Sequence, residues 1–344
     1  MVNEGTLHTP FPCSEQGTDI RRAAWHSYLR VGLGLFLFSV IPQILALLCS
    51  ATLPTLAPAL CAHPLYPWVL QVVLMYGIAF PIAYAVIGRP NLSFPNEKSH
   101  PSFLLLFTVF CLLSAVSRIG AIIGEVLMRI VEAISGIPQS NPLDTMLDGT
   151  PMWVIFAVVV VIGPLVEELI FRHAVMRRLL PFGETGAILF SGVAFGLMHG
   201  NFYQLFYTVG MGMLIGYLYA RTRKLLYPIL LHAVYNFMGS VIPLSLMDSL
   251  GELLTHIEAG TATPELLIAN FLPLCGLLAY AFLTFGLAAA GIVLFIVFFR
   301  RIRLAPATHP LRAGEHARAC FANVGVILFA VAMLAELILS LLPL

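Results

Sequence analysis

Nine stretches of this chain are apolar for about the length a helix needs to cross a bilayer, roughly 20 residues. They run near Val31–Pro54, Tyr66–Ile87, Pro101–Leu127, Pro151–Arg172, Thr185–Met198, Tyr203–Ala220, Leu225–Ile242, Leu267–Phe299 and Phe321–Leu342. Thr185–Met198 is short for a crossing, and Leu267–Phe299 has room for a kink or a re-entrant turn. Helical segments satisfy their own backbone polar groups in lipid, so the expected fold is all-α, a polytopic transmembrane helical bundle of about nine membrane segments. The composition fits, with 59% of residues hydrophobic and 10% charged, against about 25% charged in a soluble domain.

The net charge of +1 is uninformative, and no basic run suits nucleic acid. The six cysteines are scattered without metal-ligand spacing, and most fall in apolar segments and read as small packing hydrophobes. Cys13 reads as an ordinary cytosolic thiol, and residues 1–24 carry no apolar core of a cleavable signal. Basic residues alternate from loop to loop. Arg21, Arg22 and Arg30 precede the first stretch, and Arg89 and Lys98 follow the second. Arg177 and Arg178, then Arg221, Arg223 and Lys224, then Arg300, Arg301, Arg303 and Arg312 follow the fourth, sixth and eighth. The intervening loops have no Lys or Arg, apart from Arg129 just past the third stretch. By the positive-inside rule the N-terminus is cytoplasmic and, with nine crossings, the C-terminus lies outside.

Four regions follow. Residues 1–30 form a cytoplasmic segment whose end, Ile20–Arg30, reads either as an amphipathic surface helix or as the basic flank of the first crossing. Residues 31–150 hold three helices, 151–243 hold the polar motifs, and 244–344 hold an outer loop and the last helices.

Three ionisable groups stand where lipid is expected. Glu167, Glu168 and Arg172 follow fourteen uncharged residues, Met152–Leu165. A charge at the centre of a membrane helix costs about 2.5–3.5 kcal/mol on insertion scales. Glu168 and Arg172 are four residues apart and placed to pair, whereas Glu167 is turned away, towards a polar cavity. Partners for Glu167 come from FGLMH (Phe195–His199) and HAVYN (His232–Asn236). Glu167 lies roughly 15 Å above Arg177 and His232 roughly 12 Å above Lys224 at the helical rise. His199 and Glu167 are equidistant from the turn at Gly183, so a hairpin there brings them level. A carboxylate, two imidazoles and an amide at one depth can hold a metal, bind a polar ligand or activate water.

EELIFR, FGLMH and HAVYN, read as EExxxR, FxxxH and HxxxN in that order, resemble the CAAX prenyl protease and bacteriocin-processing family of intramembrane endopeptidases. All three motifs match, between Pro151 and Gly239. The resemblance implies a glutamate protease. Glu167 with His199 would activate water, His232 and Asn236 would stabilise the oxyanion through a neutral imidazole N–H and the amide, and Glu168, Arg172 and Phe195 would support the site. No cofactor is expected on this resemblance, although Glu167, His199 and His232 have the chemistry to ligate zinc. The implied partners are the lipid bilayer and a peptide or protein C-terminus, lipidated or not. The implied location is an inner membrane if the source is bacterial and the endoplasmic reticulum if it is eukaryotic. The competing readings are a non-catalytic scaffold or bacteriocin self-immunity protein and, behind it, a transporter, whose two matching halves are missing from the sequence.

The other polar positions read mainly as structural, although the charged set on the third stretch reads either as lining the cavity or as marking where that helix leaves the membrane. Arg118, Glu125, Arg129 and Glu132 share roughly one helical face, with Glu125–Arg129 an i,i+4 pair. Glu336 reads as a helix–helix contact, Ser191 as a small packing residue, and His173 as turned towards the cytoplasmic interface.

Overall fold

The computed structural model describes residues 15–90, 92, 99–302, 304–312 and 314–342; Cys13, Lys98 and Arg303 lie outside them. Among the described residues the chain is all-helical. Six helices are long and apolar enough to cross a membrane, or seven if a bent pair counts as one span. The main helices are α1 (Glu15–Leu56), α2 (Tyr66–Ile87), α3 (Phe103–Ser135), α4 (Met152–Phe182), α5 (Glu184–Leu197), α6 (Phe202–Thr222), α7 (Leu226–Ser249), α8 (Phe271–Phe298), α9 (Glu315–Phe321) and α10 (Val324–Leu339).

The count of about nine is therefore too high, for two reasons. Helix α5 has only 14 residues, about 21 Å. Helix α6 has 21 residues, but Gln204, four tyrosines and three glycines make it too polar to qualify. The two form an antiparallel hairpin, its open end held by Arg223 Nη2 on Glu184 Oε1 at 2.7 Å. Their axes approach closely because both contribute glycine at the crossing. A Cβ on Gly212 would stand 2.9 Å from the Gly192 Cα.

Ile20–Arg30 is not a separate helix but continuous with the first crossing, inside α1, which runs 42 residues. The eighth stretch, Leu267–Phe299, breaks at Asn270 between the short helix Pro264–Ala269 and α8, which then runs unbroken over Phe271–Phe298, and a bend of 57° falls between α9 and α10. There Asn323 caps α10 through Gly325 N–H and donates to Trp25 O at 2.9 Å.

Prolines set the shape of three helices. Pro81, Pro164 and Pro243 each lack an N–H and would crowd the carbonyl four residues back. Each is preceded by wider, π-type turns, at Val72–Ala79, Phe156–Ile162 and Phe237–Val241. A fourth such stretch, Leu169–Met176, follows the glutamate pair.

Helix α3 packs on α6 and α8, α5 on α4 and α6, and α1 on α2 and α10. The largest buried apolar cluster joins α1, α2, α4, α5 and α10. Basic side chains also close the end of α2. Arg30 Nε donates to Val86 O at 2.7 Å, and Arg178 Nη1 donates to Ile87 O at 2.6 Å and to Arg89 O. Cations at the negative end of a helix are favourably placed.

Candidate active site

The glutamate pair divides into an inner and an outer carboxylate. Glu168 and Arg172 have no exposed side-chain surface, and Arg172 Nε lies 3.0 Å from Glu168 Oε2. The other oxygen of Glu168 accepts from His232 Nδ1 at 2.9 Å. Arg172 Nη1 donates to Ser191 Oγ at 3.2 Å, and Ser191 Oγ donates to Phe171 O at 3.2 Å. Ser191 therefore links the buried guanidinium to the backbone of α4, beyond the packing role its size suggested. Hydrogen bonds to its remaining donors and acceptors offset the desolvation of a buried ion pair. Here an imidazole and a hydroxyl supply part of them, while Arg172 Nη2 is buried without a hydrogen-bond partner.

Glu167, one residue earlier, is 21% exposed at its side chain and lines a cavity of about 830 Å³. His199, His232, Asn236 and Phe195 line the same cavity. Three helices, α4, α5 and α7, thus bring together the outer carboxylate and the two later motifs, while Glu168 and Arg172 stand behind the wall. Phe195 is the shared packing surface. Its ring meets His199 edge-on at 5.1 Å, His232 at 5.8 Å and Phe171 at 5.1 Å. The Arg172 guanidinium lies 5.2 Å from its centre, a cation–π distance.

Hydrogen bonds set which ring nitrogens are free. His199 Nδ1 lies 2.9 Å from Phe195 O. A carbonyl only accepts, so the proton sits on Nδ1, and Nε2 of a neutral ring keeps its lone pair. The next turn is fixed by Gly200 in the left-handed region and by Asn201, which caps α6 and donates to His199 O at 2.8 Å. His232 gives its Nδ1 proton to Glu168 and turns Nε2 towards Glu167 Oε2, 3.7 Å away. A neutral imidazole so placed has no N–H left for the cavity. Donation from Nε2 requires the doubly protonated ring, with both nitrogens as donors.

Asn236 has a partner set by a proline. The Gly163 N–H bonds Val158 O, five residues back. In that register Val159 O would be served by residue 164, which is Pro164 and has no N–H. Asn236 Nδ2 supplies the missing donor, to Val159 O at 2.9 Å. One of its two amide hydrogens is thereby committed.

Tyr76 and Glu336 line this cavity without having been assigned to it by sequence, and Arg118, for which cavity lining is one of two readings, joins them. Tyr76 of α2 brings its hydroxyl beside Gly163 and Glu167. Glu336 accepts from Gln43 Nε2 at 2.8 Å and lies against Gly200, where a Cβ would come within 2.6 Å of its Oε1. Arg118 also lines the cavity, whereas Glu125 and Arg129 pair outside it at 2.8 Å. His173 faces away, bonded to Tyr84 Oη at 2.6 Å and Arg177 Nη1 at 3.1 Å. Among the described residues no three His, Cys, Asp or Glu side chains are gathered as a metal's ligands would be.

A family model matches the same part of the chain, and three known proteins resemble it over a quarter to a half of its length. Residues 149–238 match the family model described as Type II CAAX prenyl endopeptidase Rce1-like. YdiL of Bacillus subtilis, named as a candidate membrane peptidase, is 33% identical over 93 residues, 26% of this chain and 36% of that protein. The membrane-embedded CAAX protease MroQ of Staphylococcus aureus is 27% identical over 134 residues, 37% of this chain and 53% of its own. The UPF0177 protein YbdI of Lactococcus lactis is 25% identical over 179 residues, 51% of this chain and 93% of its own. The chain thus spans about a third and about half of the length of the first two relatives. No solved structure matches. The resemblance read from EExxxR, FxxxH and HxxxN is therefore met by a family model on the same helices: over residues 149–238 this membrane chain is similar to the Rce1-like type II CAAX prenyl endopeptidases.

Proposed function

We propose that this chain is an intramembrane endopeptidase in which Glu167 activates the attacking water. The observation that carries this reading is the split between adjacent carboxylates. Glu168 is consumed by Arg172 and His232, while Glu167 stays on the cavity wall with His199 and Asn236. Positioned acid–base groups contribute about 10²–10⁴-fold to such reactions. In this reading a water lies between Glu167 and His199 Nε2, and its proton passes to the carboxylate as it attacks the scissile carbonyl. His232 Nε2–H and the second Asn236 hydrogen receive the developing oxyanion, and the proton on Glu167 then goes to the leaving amine. Arg172, Glu168, Ser191 and Phe195 hold the rings in place.

The substrate is a peptide or protein segment entering the cavity, lipidated or not, with the N-terminus of the enzyme on the cytoplasmic side. A zinc ion on Glu167, His199 and His232 is the chemical alternative. Purified protein in liposomes, given farnesylated C-terminal peptides and bacterial leader peptides with and without chelator, tests both. Cleavage lost in Glu167→Ala and indifferent to chelator supports the proposal; cleavage retained by Glu167→Ala refutes it. Loss with chelator moves the chemistry to a metal, and binding without cleavage favours a scaffold.

A further inference from the structure

Arg118 sits in the third helix, on the wall of the cavity that holds Glu167 and His199. It is a basic residue at membrane depth, and among the described residues no carboxylate lies within ion-pair distance of it. Its Nη2 donates to Thr284 Oγ1 at 2.7 Å, and its guanidinium stands 4.8 Å from the Phe285 ring centre. Thr284 is itself buried and anchored to Tyr280 O at 3.0 Å. One hydroxyl and one ring face thus hold the fork in place without neutralising it. Among the described residues its guanidinium makes no other hydrogen bond.

A charge kept in a membrane without a protein counter-ion marks a functional position by default. A planar guanidinium with free donors is shaped for a carboxylate, which it can bind through two parallel charge-assisted hydrogen bonds. Depth agrees. Ser99 is bonded to the end of α6, whose Arg223 holds Glu184, so the start of α3 and the end of α4 lie on one face. Arg118 and Glu167 are each roughly fifteen residues, about 22 Å, along their helices from that face.

We propose that Arg118 is a carboxylate-binding subsite that anchors the peptide while Glu167 works on its scissile bond. The inference rests on the peptidase reading of that cavity. The carboxylate comes either from the C-terminus of the peptide or from an acidic side chain near it.

The test uses a peptide that the enzyme cleaves, made with a free C-terminus, with a C-terminal amide, and with the amide plus an added aspartate. Wild type is expected to favour the free acid over the amide by about 10- to 100-fold in kcat/KM, mainly through KM. Recovery by the aspartate peptide would assign the subsite to side chains; no recovery would assign it to the C-terminus. In Arg118→Gln the preference should collapse to within about twofold, and Arg118→Lys should keep part of it. Binding of the same peptides to Glu167→Gln protein, followed by fluorescence anisotropy, reads the subsite without turnover. It therefore separates failure of this subsite from failure of the Glu167 mechanism. Thr284→Val, which removes only the orienting hydroxyl, should weaken the preference if Arg118→Gln does not fold. No acid preference in wild type, or an undiminished one in folded Arg118→Gln, would overturn the proposal.

Discussion

Helices α4 and α8 are equally apolar by composition, yet they live in different surroundings. In their most apolar windows 56% of residues of α4 are buried inside the protein, against 17% in α8. Helix α8 buries Thr284, Ala288 and Gly291 and leaves most of its large side chains outside. Helix α4 buries Glu168, Arg172 and Arg178 and meets α5, α7 and α2. Hydropathy reports that both helices suit a membrane. What separates them is the few polar positions for which lipid offers no partner, and these draw the rest of the bundle around α4.

That contrast can be broken first at Arg172. Arg172→Leu leaves the Glu168 carboxylate buried without its cation, which should destabilise by about 3–5 kcal/mol. Thermal unfolding in detergent would report it, and adding Glu168→Gln should restore much of the loss by removing the orphaned charge. The next effect lies at Asn236. Asn236→Ala leaves Val159 O without a donor, with an expected loss of about 1–3 kcal/mol. Pro164→Ala returns a backbone N–H, so the double variant should lose less than Asn236→Ala does. Unfolding midpoints of the four proteins in that cycle decide it. Gly200→Ala forces a side chain into the left-handed region, against Glu336, and about 1–2 kcal/mol is expected, with slower cleavage because His199 precedes this turn. On α8, Leu283→Ala at a 52% exposed position should change stability by no more than about 0.5 kcal/mol.

Much of the site is legible in the order and spacing of its residues. Helical periodicity separates Glu167 from Glu168, and counting from Gly183 sets Glu167 level with His199. The turn does fall there, with φ of 133° at Gly183. The all-helical class follows from apolar length. Other features depend on neighbours that periodicity does not encode. Ser191 becomes a partner of Arg172 only because α5 crosses α4 closely. Glu336 and Arg118 reach the cavity because α10 and α3 flank it. The prolines are plain in the sequence, but the wider turns before them, and the carbonyl left for Asn236, need the backbone register. Helices α5 and α6 count among the nine apolar stretches, although the first is short for a crossing. Their hairpin is instead built from a short helix and a polar one.

The division of work between Glu167 and Glu168 is the central claim, and one paired measurement tests it most directly. Glu167→Gln and Glu168→Gln would be compared with wild type in the same liposomes, for peptide cleavage and for thermal unfolding. Glu167→Gln should keep the wild-type unfolding midpoint and lose cleavage by about 10²-fold or more. Glu168→Gln should unfold at clearly lower temperature. Wild-type cleavage by Glu167→Gln, with loss confined to Glu168→Gln, would contradict the claim and move the chemistry to the inner carboxylate.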